Sequence, residues 1–304
     1  MKQLIITIFA IAALGSCKKS DPEPQAPLVI TKADMATNFK PGGAVYTFSK
    51  INLTSSTVAA PARGENQSWD FSALAESSIS TGGGTAFITP ANASFPSATY
   101  GFNNTNSWTV SGIASPDFAS TDYSEVSDGG YYYLGWSQNA TTAISIPSLG
   151  ATISYPVQNL NFTGTAKYPR IIFPAKYSDS LTTTNLIKTS NYTVTAAAFG
   201  LNNTPGQTKV TTASTIVTTA SGTANLKGIS NVRVLVIKES WQDKTNFFLG
   251  GAPTPTALLN MLGVTDGAIT TGTYYRFYGE GLGLVGVISV NAAGTVTEAQ
   301  FRKQ

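Results

Sequence analysis

The feature that most constrains this chain is a series of short runs rich in Val, Ile, Thr and aromatic residues, each closed by a turn signal. Runs with strand character cover Ala44–Phe48, Ser107–Gly112, Gly130–Trp136, Ala143–Ile146, Tyr192–Ala197, Lys209–Thr219, Val232–Glu239, Thr273–Tyr278 and Leu284–Val290. Asp128-Gly129-Gly130, Pro205-Gly206, Lys227-Gly228 and Ala293-Gly294 punctuate them. Along a strand, successive side chains point to opposite faces. In Val232–Lys238 one face carries Val232, Val234 and Val236 and the other Arg233, Leu235 and Ile237. Both faces are largely apolar, which places this strand between two layers. Lys209–Thr219 is mostly Thr and Ser and suits a wet face or an edge. Closely spaced short strands of this kind predict an all-β fold. The expected form is a β-sandwich assembly, as one large or two smaller units, with an open half-barrel as the alternative. One short helix is predicted near residues 254–262, where Pro255 suits a first turn and Gly263 can end the run Ala257–Leu262. The Pro-containing segment 164–180 offers a division into an N-terminal β region, 28–165, and a C-terminal one, 166–304, an undivided body being the alternative.

Residues 1–16 differ from the rest. Lys2 gives a positive start, Leu4 to Leu14 form an apolar run broken only by Thr7, and Gly15 and Ser16 lead to Cys17. A run of about 11 residues is too short for a permanent membrane span and suits a signal peptide. Leu14-Gly15-Ser16-Cys17 resembles the lipobox of bacterial lipoproteins, and Cys17 is the only cysteine. The resemblance implies cleavage before Cys17 and lipid on its sulfur, so the expected membrane contact is a lipid anchor at Cys17. Two or three acyl chains, at about 0.8 kcal/mol per buried CH₂, hold a protein stably. Residues 17–27 then read as a polar, Pro-rich tether.

Composition narrows the function classes. Histidine is absent, which removes Ser-His-Asp and Cys-His catalysis and histidine-ligated metal sites. Only 12% of residues are charged and no basic cluster has the footprint of a nucleic-acid binder, so no nucleic-acid partner is expected. A literal G-x-G-x-x-G occurs at Gly281, Gly283 and Gly286, but a β run, VISVN, follows it where a dinucleotide site needs a helix. Glycines joining two strands explain it better. Asp117, Asp122, Glu125 and Asp128 form the densest acidic patch, without the alternating oxygen pattern of a calcium loop or any sign of a glycosidase pair. No catalytic residue, metal or cofactor is assigned.

Two aromatic groups stand out. Tyr131, Tyr133 and Trp136 are a candidate ligand surface, because exposed rings at this spacing could stack on sugars; the alternative is that they pack in the core. Trp69 and Phe71 flank Asp70 and read as structural: the rings share a buried face while Asp70 turns outward to a turn or a backbone amide. Trp69→Ala is predicted to cost several kcal/mol.

Gly64 and Asn66-Gln67-Ser68-Trp69-Asp70-Phe71-Ser72 together resemble a G-x-N-Q-[ST]-W-D-F-S signature of secreted and lipid-anchored β proteins of the Bacteroidetes. Phe173–Ser180, and Ser221–Ala224 followed by Asn231–Val234, resemble two further stretches of that family. The resemblance implies an envelope setting and no particular activity. Lys18–Glu23 partly matches the lineage's acidic surface-export stretch, which implies an outer-membrane lipoprotein exposed at the cell surface. The leading expectation is a non-enzymatic lipoprotein that binds an extracellular ligand, a glycan foremost. The alternatives are a scaffolding partner of other envelope proteins and a carrier of lipid or lipoprotein. A deep apolar cavity would favour the carrier, and clustered exposed Tyr and Trp the glycan binder.

Overall fold

The computed structural model describes residues 26–304 apart from 37, 44, 84–86, 111 and 165. The leader, Cys17 and most of the tether lie outside the described residues. The described residues form an all-β fold, a sandwich of two large, mainly antiparallel sheets with a two-stranded ribbon, Thr109–Val110 with Ile113–Ala114, two short α-helices and no closed barrel.

The larger sheet has twelve strands. Its order is Thr142–Ile146, Ala151–Tyr155, Ser180–Ala196, Leu201–Leu226, Ile229–Leu249, Ala268–Gly279, Gly283–Val290, Val296–Lys303, Val45–Ile51 and Glu76–Gly83, antiparallel throughout. Gly64–Asp70 adds to Leu201–Leu226 in parallel, and Ala252–Pro253 pairs with the end of Ile229–Leu249. The second sheet runs Gln158–Asn161, Gly130–Gln138, Phe118–Ser127, Tyr100–Asn106, Phe87–Ile88, with Tyr168–Ile172 beside the first half of Gly130–Gln138. Both sheets draw strands from either side of residue 165, so backbone hydrogen bonding crosses the division that the sequence offers.

Val232–Lys238 lies centrally between two layers for the reason its pattern gives. Val232, Val234 and Val236 join Ala220, Phe277, Val285 and Phe301 on one face. Leu235 and Ile237 join Val126, Ile171 and Tyr278 on the other, against the second sheet. Each such side chain removed from water contributes about 1.5–3 kcal/mol.

Of the two placements expected for Lys209–Thr219, a wet face or an edge, the edge fails, while Thr211, Ala213, Thr215 and Val217 form a half-buried outer face. The strand is paired on both sides, and Thr212, Ser214, Ile216 and Thr218 are buried. Thr212 is satisfied there, its Oγ1 donating to Asp243 Oδ1 at 2.5 Å, whereas the Ser214 hydroxyl is buried without a partner.

The far end of the large sheet curls. Gln304 N donates to Lys227 O at 3.1 Å, and Lys227 and Lys303 converge on Glu76 at 2.6 and 2.9 Å. Trp69 and Phe71 fill the curl, both meeting Phe277 edge-on while Phe71 stacks on Phe301 at 3.8 Å.

The helix expected near 254–262 is present as Thr256–Met261, burying Leu259. A second, Lys32–Met35, was not expected and corrects the reading of a single helix. Its signal was in the sequence: the Asp34 carboxylate accepts from Thr31 N and Oγ1 at 2.8 and 2.9 Å, closing the first turn. Met35 is then wholly buried between the sheets.

Candidate binding cavity

Strand alternation builds one wall of a cavity. Lys188, Ser190, Tyr192, Val194 and Ala196 share a face of Ser180–Ala196. Val210 and Thr208 stand opposite Lys188 and Ser190, and Thr245 and Phe247 stand opposite those in turn. Ala151 and Ile153 extend the wall on the other side, opposite Ala196 and Val194. The second sheet contributes Trp136 and Leu160, and the segment 108–110 contributes Trp108 and Val110. Leu258, Leu259 and Leu262, from the short helix and its end, together with Val264, complete the enclosure.

The result is a cavity of ≈ 340 Å³ with apolar and aromatic walls. That lies within the range of about 300–1,000 Å³ typical of small-molecule sites. It stays open because this wall is low: Ala151, Ala196, Ser190 and Thr208 carry small side chains that do not fill the space in front of them.

An aromatic corner is held rigidly. Trp108 stacks on Tyr155 at 4.6 Å and tilts against Trp136 at 5.4 Å. Its indole N–H donates to Gln138 Oε1 at 2.9 Å, and the wholly buried Gln138 amide donates to Ala140 O and Tyr155 O at 2.8 and 3.2 Å.

Among the described residues, Lys188 is the only charged one in the lining. It sits where the sheets meet: Phe162 forms an isolated antiparallel bridge with it, Thr163 N donates to Ile187 O at 2.8 Å, and its ammonium lies 6.0 Å from the Phe162 ring centre. Burial lowers its pKa from the ordinary lysine value, although Asp243 and Asp122 pull the other way; Arg170 adds to the lowering. Among the described residues no carboxylate is within ion-pair distance of it. Thr254 Oγ1, also in the lining, is buried without a hydrogen-bond partner.

Along the same sheet face, beyond the cavity, lies a buried ionic cluster. Glu239 is wholly buried and meets Arg170 at 3.0 Å, Arg276 and the Tyr168 hydroxyl. Burial by itself would raise its pKa, but the two guanidinium charges and the Tyr168 hydrogen bond outweigh that and hold it below the usual range. Arg170 and Tyr168 come from the second sheet, so the cluster ties the two layers together.

The sequence candidates fall in different places. Tyr131 packs on Phe39 with ring centres 4.8 Å apart. Tyr133 donates to Asp122 Oδ1 at 3.1 Å and lies edge-on to Phe162. Trp136 forms cavity wall. A bulge at Leu134–Gly135 shifts the alternation and returns Trp136 to the face of Tyr131 and Tyr133. That face turns toward the large sheet, so the three line the interior and form no outer stacking platform. Trp69 and Phe71 are the plug of the curled end, while the exposed Asp70 accepts from Ser72 N and Oγ at 3.0 and 2.6 Å.

The acidic patch disperses: Asp122 is held by Tyr133 and Asn104, Glu125 by Lys167 and Asp128 by Lys32. No three carboxylates converge on a metal position among the described residues. Gly281 and Gly283 turn the chain between two strands, both with φ +67°. A Cβ on Gly283 would fall 1.4 Å from Asn38 Oδ1, which accepts from Leu284 N at 2.8 Å.

No family model, no curated protein and no solved structure matches this chain. Fold and site therefore define its class alone: an all-β sandwich protein enclosing an apolar, aromatic-walled cavity with one lysine.

Proposed function

We propose that this chain is a lipid-anchored envelope protein that takes a small apolar or amphiphilic molecule into the cavity, acting as a carrier or receptor. The observation that carries the reading is the ≈ 340 Å³ cavity, walled by both sheets and the short helix. Its lining includes hydroxyls, one lysine and aromatic rings but no carboxylate, which suits holding a ligand better than hydrolysing one. The aromatic residues on which a glycan-binding reading would rest are cavity wall and core, which favours the carrier over the glycan binder. The envelope setting rests on the lipobox-like Leu14–Cys17 and the Asn66–Ser72 signature.

The test is saturable binding of N-phenyl-1-naphthylamine to the purified protein, followed by its fluorescence and by that of Trp108 and Trp136. Competition by dodecanol and loss of binding in Ala196→Phe are the expected results. Non-saturable binding, or binding indifferent to Ala196→Phe, would rule the cavity out as the site.

A further inference from the structure

We propose that the ligand of this cavity is a long-chain monocarboxylate, held with its carboxylate against Lys188 and its apolar chain along the slot toward Phe199. This rests on the cavity being a ligand site and names the class of ligand.

The shape argues for a chain. Lys188, Ser190, Tyr192, Val194 and Ala196 all line the slot. The eight steps of strand from Lys188 to Ala196 span about 26 Å at the usual rise. The wall is four strands, about 14 Å, wide, so it is longer than it is broad, and a volume of ≈ 340 Å³ along it has room for an extended alkyl chain.

The two ends differ in kind. At Lys188 the second sheet is stitched to the large one through Phe162 and Thr163, which closes the slot. At the other end Phe199 is 41% exposed, so the apolar rim opens toward solvent. An amphiphile therefore enters chain-last, with its head at the closed end.

The charge argues for an anionic head. The lysine's nearest carboxylates are already committed: Asp243 accepts from Thr212 at 2.5 Å, and Asp122 from Tyr133 and Asn104 at 3.1 and 3.4 Å. Neither reaches the ammonium, so among the described residues the cation in this apolar wall faces the Phe162 ring at 6.0 Å and no anion. Such a group is costly to bury alone and strongly favours an incoming anion. The unpartnered Thr254 hydroxyl in the same lining is a second donor without an acceptor.

The experiment is calorimetric titration of the full chain with dodecanoate, 1-dodecanol and dodecylammonium, each below its aggregation concentration. Dodecanoate is expected to bind about tenfold or more tighter than dodecanol, and dodecylammonium most weakly. Lys188→Met should erase the preference for the acid, bringing dodecanoate and dodecanol to similar affinity, and Lys188→Arg should keep it. Equal binding of acid and alcohol to the unaltered protein would overturn the proposal while leaving the cavity reading intact, and needs no folded variant. If none of the three binds saturably, the cavity reading fails and this proposal fails with it.

Discussion

At one end of the strands Leu201–Leu226 and Ile229–Leu249, Phe277 is enclosed by Trp69, Phe71 and Phe301, and the curled sheet is full. At the other end Lys188, Val210 and Thr245 face a void of ≈ 340 Å³. The strands are continuous between the two, and both ends are apolar. The contrast shows that hydrophobicity alone does not fill an interior: the filled end receives large rings from the Gly64–Phe71 segment, while the wall of the hollow end carries alanines and hydroxyls that leave the gap open. Between them, the Glu239 cluster ties the second sheet to the large one through Arg170 and Tyr168.

The contrast breaks most severely at the filled end. Phe277→Ala removes a wholly buried ring touched by three others and should cost about 3–5 kcal/mol, read from urea midpoints. An unchanged midpoint would mean the curled end is looser than its packing indicates.

The fastener between the ends should come next. Glu239→Gln leaves two guanidinium groups facing a neutral amide, for a loss of about 3 kcal/mol. The sign with pH follows from the lowered folded pKa of Glu239. The cluster's contribution is complete above the ordinary glutamate value of 4.5 and disappears as pH falls through the lower folded value. In Glu239→Gln that part of the acid destabilisation should be missing; an identical pH profile would contradict it.

The smallest effect sharpens the comparison directly. Ala224→Phe, in the full end, should cost about 1–3 kcal/mol by overpacking. Ala196→Phe, equally buried but lining the void, should change stability by less than about 1 kcal/mol because its ring has room. Equal losses in the two variants would remove the distinction between the ends.

Much of the fold was legible in the residues. The two-faced apolar run of Val232–Lys238 placed its strand between layers, Pro255 and Gly263 bracketed the helix, and Gly281 and Gly283 sit at a strand connection. Thr31 and Asp34 carried a helix start that went unread. The site was far less legible. Tyr131 and Tyr133 share a face, as alternation requires, but alternation does not say whether that face is wet. The extra residue at Leu134–Gly135 then moves Trp136 to the same side, which spacing alone does not reveal.

By itself the sequence determined the class of structure, because strand periodicity and turn chemistry are local properties of a few neighbouring residues. It also carried the central placement of Val232–Lys238 and the Asp70 turn, for the same reason. Only the tertiary structure decided the cavity and the position of Lys188 within it. A void is the difference between a space and the side chains that enter it, and here those side chains come from segments as far apart as Trp108, Leu160, Val210 and Leu259. No window of sequence contains that sum.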